Sequence, residues 1–308
     1  MEGSNAAMDR VPEFRPLDSA KCRTGSDRRS ELLRVAGAEL CGTALLVLLT
    51  CLPGCNTTAS GASLLQRALS GGLVVTLIVQ CFDHVSGAHL NPTVTLAAVL
   101  TQRISGLRAA VMSVSQLVGG ILGAVTLRLL ASQAVQSCVT KPASYISLYQ
   151  ALAIETLLGF CLAMANLGSW DARNRHLIDS WPLRIGIVVT ALSLAAGDLT
   201  GASMNLIRSL APALVSRDFE ALWVNSEKTE TDENLRVQDW DYMVDALRLP
   251  RLTLNSCSVA KDLYCAGPLA GASAAAALHA SAWRAPPDAP ARGCSPAREP
   301  AHKAPLYT

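Results

Sequence analysis

The sequence predicts an all-α membrane protein, with six transmembrane helices and two re-entrant half-helices arranged as an inverted repeat. Three observations carry this expectation. Half of the 308 residues are hydrophobic and only 16% are charged, and the mean hydropathy is +0.30, which places the chain in the membrane class. Inside this apolar chain lies a stretch too polar and too short to span a bilayer, Ser86-Gly87-Ala88-His89-Leu90-Asn91-Pro92-Thr93-Val94. The stretch then recurs: Thr200-Gly201-Ala202-Ser203-Met204-Asn205-Leu206-Ile207-Arg208 repeats its hydroxyl, Gly, Ala and Asn position for position. Glu39 precedes the first copy and Glu155 the second, each inside an apolar run, and a Gly/Ala-rich run follows each copy, opening near Gln116 and Gly267. A duplicated order with broken helices near the midplane is a membrane-transport architecture.

The polar stretches set the rest. Asn91 is a candidate N-cap, and Pro92 suits a first helical position, where no N–H is needed. Residues 93–100 then read as a short apolar helix. Irregular backbone at membrane depth is tolerated only beside protein or a water-filled cavity, so the stretch points to a pore.

The first 30 residues carry Arg10, Arg15, Lys21, Arg23, Arg28 and Arg29. They read as a disordered basic tail held in the cytoplasm. A first repeat follows at 31–131. Its spans are 32–52, 64–82 and one within 104–131, and a pore loop occupies 83–100. Residues 132–147 form an extracellular loop. The second repeat, 148–283, has spans at 148–167, 182–196 and 263–283 and a pore loop at 198–214. Arg173, Arg175 and His176 between its first two spans fit a cytoplasmic loop. Residues 284–308, rich in Pro and Ala, read as a disordered cytoplasmic tail. The acidic stretch 217–262 is an atypical insert on the outer face. It reads as a lid, a flexible insert or translated non-coding sequence, and its composition favours the last two. Residues 237–249 within it have the spacing of one amphipathic helix ended by Pro250, and its acids fit no EF-hand loop.

Several function classes drop out. A net charge of +2 is too small to argue for nucleic acid. The ten cysteines show no paired metal-ligand spacing. Cys41, Cys51, Cys81, Cys161 and Cys265 lie in or near apolar runs, where Cys behaves as a small hydrophobe. No nucleophile–base pair is identifiable, so an enzyme is not expected, and no cofactor or metal is implied. Asn56-Thr57-Thr58 on the outer face is a candidate glycosylation site.

Taken together, the two loops, the two glutamates and Arg208 resemble the aquaporin family, also called major intrinsic proteins. The resemblance covers about residues 31–216 and 263–283. Asn91-Pro92-Thr93, with a serine in the fifth span, resembles most the insect-type members that pass glycerol. The resemblance implies a passive channel for water and small uncharged solutes such as glycerol or urea. It also implies a homotetramer with one pore per subunit in the lipid bilayer, and a plasma-membrane location with both termini cytoplasmic. Glu39 and Glu155 would hold the pore-loop backbones, with His89 and Gln116 in support. His89 reads as a packed histidine or a pH gate. Counting from the two asparagines, the selectivity filter comprises Gly71, Ser193, Ala202 and Arg208. Gly and Ser there remove the bulk that water-selective relatives carry. Gly71-Gly72 also reads as a pair of helix-packing glycines.

Where the family has Asn-Pro-Ala in its second loop, this chain has Asn205-Leu206-Ile207. Leu206 loses pre-organisation but breaks no hydrogen bond. Ile207 is expected where the two loops abut, where overpacking would cost about 1–3 kcal/mol and narrow the pore centre. This degenerate motif and the insert support an alternative, a non-conducting member of the fold.

Overall fold

The computed structural model describes residues 25–55, 62–216 and 259–283. Among them every regular element is helical: α1 (Gly25–Cys51), α2 (Leu64–Ser86), α3 (Pro92–Leu100), α4 (Gly106–Leu130), α5 (Ser132–Ser137), α6 (Leu148–Ser169), α7 (Trp181–Thr200), α8 (Leu206–Ser216) and α9 (Val259–Leu278). Five of these, α1, α2, α4, α6 and α7, are long and apolar enough to cross a membrane. The sixth expected span is present as α9, prolonged by a wide turn at His279–Trp283. It is not among those five. Its sequence is dominated by Gly, Ala and Ser and carries Lys261 and Asp262 in its first turn.

Local chemistry explains where helices begin. Ser63, Ser105 and Ser147 are extended N-caps whose hydroxyls accept from the backbone N–H of Gln66, Arg108 and Gln150. At α6 the Gln150 side chain answers the cap backbone, completing a capping box. At α3 the Asn91 side chain caps and Pro92 occupies the first turn.

Glycines decide the packing. A Cβ on Gly72 of α2 would lie 1.8 Å from Thr190 Oγ1 and 2.4 Å from the Gly186 carbonyl of α7. A Cβ on Gly186 would lie 1.9 Å from Thr76 Oγ1 and 2.5 Å from the Gly72 carbonyl. Two backbones thus meet through reciprocal Gly–Thr pairs, as small residues allow in membranes. Gly119 and Gly123 of α4 lie against the carbonyls of Leu40 and Ala44 of α1, and Gly271 of α9 lies against that of Thr156 of α6. Leu40 and Thr156 each follow one of the buried glutamates, so the two halves use the same contact. On the outside of α2, Leu65, Leu69, Leu73 and Leu77 recur every fourth residue and are all exposed. Such a stripe would be a liability in water and is at home among lipid chains or against another subunit.

The structure corrects several expectations. Residues 25–30, assigned to a disordered tail, already belong to α1, helped by an Asp27 near the positive helix start and a Ser30 hydroxyl bonded to the Asp27 carbonyl. Residues 132–137 form α5 and residues 172–180 a 3-10 helix within segments read as loops. Residues 259–262, assigned to the insert, begin α9. Cys51 is not a packed free thiol: it forms a disulfide with Cys138, a pairing that needed the spatial neighbourhood of α1 and α5 to be seen. The Asn56 sequon, the 237–249 helix and the rest of the insert lie outside the described residues.

Candidate functional site

Two loops, 87–91 and 201–205, meet at the middle of the bundle, and their construction is the same atom for atom. Ser86 and Thr200 each donate a hydroxyl hydrogen to a glutamate Oε1, at 2.7 Å in both cases, to Glu39 and Glu155 respectively. The same hydroxyl oxygens accept from Ala88 N and Ala202 N at 3.0 and 3.2 Å. Glu39 then accepts the N–H of His89 at 2.9 Å and of Leu90 at 2.8 Å. Glu155 accepts the N–H of Ser203 at 3.0 Å and of Met204 at 3.1 Å. Both glutamates are wholly buried. A carboxylate taken out of water costs several kcal/mol unless its lone pairs are answered, and here each is answered by two loop N–H groups and the hydroxyl just before the loop, Glu39 also by Gln116.

These bonds hold a strained course. Gly87 and Gly201 have φ of 91° and 80°, and positive φ recurs at Ala88 (42°), Leu90 (54°), Ala202 (45°) and Met204 (52°). Non-glycine residues adopt this region at a cost of about 1–3 kcal/mol each, only where surroundings over-determine it. Because residues 87–90 and 201–204 lie outside any helix, their carbonyls are not spent on a helical ladder, whereas those of Asn91 and Asn205 accept the first helical bonds, from Thr95 N and Ser209 N.

Both loops end in an asparagine that does two jobs. Asn91 Oδ1 accepts the Thr93 N–H at 2.9 Å, and Asn205 Oδ1 accepts the Ile207 N–H at 3.0 Å, capping α3 and α8. The amide nitrogens reach across: Asn91 Nδ2 donates to the Met204 carbonyl at 2.8 Å, and Asn205 Nδ2 to the Leu90 carbonyl at 2.9 Å. The half-helices therefore meet start to start. Each amide has a second hydrogen, and both asparagines line a cavity of about 490 Å³.

The cavity runs from Gln136 and Lys141 near the disulfide, past the asparagines, to Asn166 and Trp181 at the other end. Gly71, Ser193, Ala202 and Arg208 all line it, as does His89. Gly71 and Gly72 divide the two roles read for them: a Cβ on Gly71 would meet nothing within 4 Å, whereas Gly72 makes the close helix contact. Arg208 Nη1 donates to the Cys138 carbonyl at 3.0 Å and to Thr140 Oγ1 at 2.7 Å. Its Nε and Nη2 have no such bond among the described residues and remain as donors beside the cavity.

The supporting residues differ between halves. Gln116 Nε2 donates to Glu39 Oε2 at 2.8 Å and to Thr95 Oγ1 at 3.0 Å. His89 Nδ1 lies 3.2 Å from the same Thr95 hydroxyl, with its ring 5.4 Å from that of Trp170. In the second half Tyr264 of α9, wholly buried, donates its hydroxyl to the Thr200 carbonyl at 2.7 Å. Sequence reasoning missed Tyr264, Thr140 and Ser209. Only the hydroxyls at Ser86 and Thr200, matched in the two copies, carried a repeat signal.

Neither Leu206 nor Ile207 lines the cavity. The expected crowding at the pore centre is absent, because Ile207 turns toward α4, its Cγ2 standing 2.2 Å from where a Cβ on Gly120 would be. The glycine takes up the isoleucine's bulk. Thr93, also off the cavity, is wholly buried.

The sequence model of the family described as Major intrinsic protein matches residues 26–226. Aquaporin-2 of Rattus norvegicus is 35% identical over 193 residues, 62% of this chain and 71% of that protein. The lens fiber major intrinsic protein of Lithobates pipiens is 34% identical over 193 residues, 62% of this chain and 73% of that protein. The aquaglyceroporin from Plasmodium falciparum shares the fold with a TM-score of 0.62 at 19% identity, covering 82% of this chain and 96% of that one.

Proposed function

The chain belongs to the major intrinsic protein family and is an integral multi-pass membrane channel for water or small solutes, not an enzyme; from that premise we propose that it passes glycerol or urea as well as water. What supports this reading is the cavity lining: Gly71, Ser193, Ala202 and Arg208, the four residues counted from the two asparagines as the selectivity filter, all border it. Gly71 and Ala202 have side chains no larger than a methyl group, and Ser193 contributes one hydroxyl. A solute bearing several hydroxyls has room beside a fixed cation that offers unspent donors.

Passage needs no chemistry. A solute oxygen accepts from the second amide hydrogen of Asn91 and Asn205 as it crosses the midplane. The positive ends of α3 and α8 converge there and disfavour cations. Arg208 adds a fixed charge nearer the disulfide end. The apolar wall, including Val75, Val79 and Val189, offers no hydrogen bonds, so solutes are held only by the polar strip and move on.

The basic N-terminal segment and the Arg173–His176 loop support cytoplasmic termini under the positive-inside rule. The Cys51–Cys138 bond then falls on the outer face, in keeping with an oxidising compartment and a plasma-membrane location. We assign the homotetramer to the exposed apolar helix faces. The two repeats at 31–131 and 148–283 are the units we propose for the duplication. The non-conducting alternative rested on Leu206, Ile207 and the insert. The first two lie outside the cavity, which removes most of its support.

The test is osmotic swelling of oocytes expressing the chain, with labelled glycerol and urea uptake, normalised to surface protein. Swelling together with glycerol uptake is expected. Swelling without uptake of either solute would refute the wide mouth, and no flux of any kind from surface-resident protein would refute conduction.

A further inference from the structure

Arg208 is held by a segment that does not belong to either pore loop. Both acceptors of its Nη1, the Cys138 carbonyl and Thr140 Oγ1, lie in the connection between α4 and α6. Thr140 is nearly buried and is wedged against the second pore loop. Its hydroxyl is 2.8 Å from Ser209 Oγ, which pairs in turn with the Ser203 hydroxyl. Its Cγ2 sits 2.5 Å from where a Cβ on Gly201 would be. A connection is the mobile part of a helical protein unless something ties it down. Here the tie is covalent: Cys138 is bonded to Cys51, the last residue of α1. The same helix carries Glu39, which holds the first pore loop. Helix α1 is thus joined to both sides of the pore, by a carboxylate at one level and a disulfide at another.

We propose that Cys51 and Cys138 are positioning residues for Arg208, that Thr140 is a further selectivity-determining residue, and that reducing the disulfide changes which solutes pass. The inference rests on the channel reading above. Adjacent hydroxyls of a polyol must find their donors at fixed positions, so glycerol needs an immobile guanidinium. Water needs one donor at a time and tolerates a guanidinium that moves. Reduction adds two electrons and two protons to the S–S bond and leaves two thiols; a phosphine supplies the electrons and becomes its oxide, with water giving the oxygen and the protons, or a dithiol supplies both and becomes a disulfide. The acceptors of Arg208 then hang on a connection held only by non-covalent contacts.

The experiment uses the full chain in proteoliposomes, with water and glycerol permeabilities read by stopped-flow light scattering. They are compared for oxidised protein, for protein treated with tris(carboxyethyl)phosphine, for the Cys51→Ser/Cys138→Ser pair, and for Thr140→Val and Thr140→Ser. Thiol counting by mass spectrometry verifies reduction. The expected result is a fall of at least threefold in the glycerol-to-water ratio on reduction, reversed by reoxidation. The serine pair should show the same fall and no further response to reductant. Thr140→Val, which keeps the shape and loses the acceptor, should follow it, while Thr140→Ser should keep the wild-type ratio. A wild-type channel that conducts both solutes with a ratio indifferent to reduction would overturn this inference and leave the channel reading standing. Equal losses of both fluxes would mark the bond as structural only and overturn it too. A wild type that conducts neither solute would sink the channel reading, and this inference with it.

Discussion

Replacing Gly120 with Ala should destabilise the protein, and replacing Ile207 with Ala in the same chain should relieve it. The Cβ added at Gly120 would lie 2.2 Å from Ile207 Cγ2 and 3.3 Å from Ala211 Cβ. Carbon atoms rest at about 3.5–4.0 Å, so the isoleucine methyl must withdraw by roughly 1.3–1.8 Å. It cannot do so by rotating, because a β-branched side chain in a helix has one strongly preferred rotamer. The backbone of α8 has to move, and that is the half-helix capped by Asn205. Overpacking of this kind costs about 1–3 kcal/mol, offset by at most about 1 kcal/mol from the better helix propensity of Ala. Ile207→Ala alone leaves a cavity and costs about 2–5 kcal/mol. In the double variant the new methyl fills part of the vacated space, so the combined cost should fall short of the sum by about 1–3 kcal/mol. Chemical unfolding in mixed micelles reads the stabilities, and proteoliposome water flux reports whether α8 has shifted. Additivity to within about 0.5 kcal/mol would refute the contact and, with it, the account of why a branched residue is tolerated in the second loop.

The buried acids and the cavity lining give two more tests. Glu155→Gln turns an amide N–H against the Met204 N–H, leaving a buried donor unanswered at about 1–3 kcal/mol. Glu39→Gln should cost no more despite its extra bond, because the unpartnered Gln116 Oε1 can turn to meet the new amide; surface expression and thermal melting of the two variants decide this, and a much worse Glu39→Gln would contradict it. Ser193→Cys should make water flux sensitive to a thiol reagent, whereas Ile207→Cys should stay resistant, since Ser193 lines the cavity and Ile207 does not. The described free thiols Cys41, Cys81 and Cys161 are absent from the lining, so the unmodified channel should show little block at those positions. Reagent sensitivity of Ile207→Cys would put its side chain back in the pore.

Much of the site could be read from the sequence because its signal is local. A polar stretch inside an apolar chain has one physical outlet, and its repetition gave both loops and both capping asparagines at once. The glutamates stood out because an acid inside a span needs partners. What escaped depended on contacts between distant segments. Ile207 looked like an obstruction because its accommodation lies in Gly120, a residue with no motif around it. Cys51 reads as apolar packing and Cys138 as part of an extracellular loop, since spacing alone says nothing about which helix ends converge. Tyr264 was invisible for a related reason: α9 follows the insert, and nothing in its Gly/Ala-rich run says which residue reaches back to the Thr200 carbonyl. The glycine pair 71–72 was legible as important, but only geometry divided it into one lining residue and one packing residue.

The crossed amide bonds also bear on how the chain is made. Asn91 donates to the carbonyl of Met204 and Asn205 to that of Leu90, so neither loop can complete its hydrogen bonding from its own half. While a ribosome is still extending the chain, the first half-helix is in the bilayer with its midplane carbonyl unanswered, in a setting where each such group costs several kcal/mol. A nascent chain stopped between the two asparagines would hold a loop that only water or an assisting protein could satisfy. Completion of the second loop is thus the step that seals the first, and newly synthesised protein should become protease-resistant as a whole, not half by half.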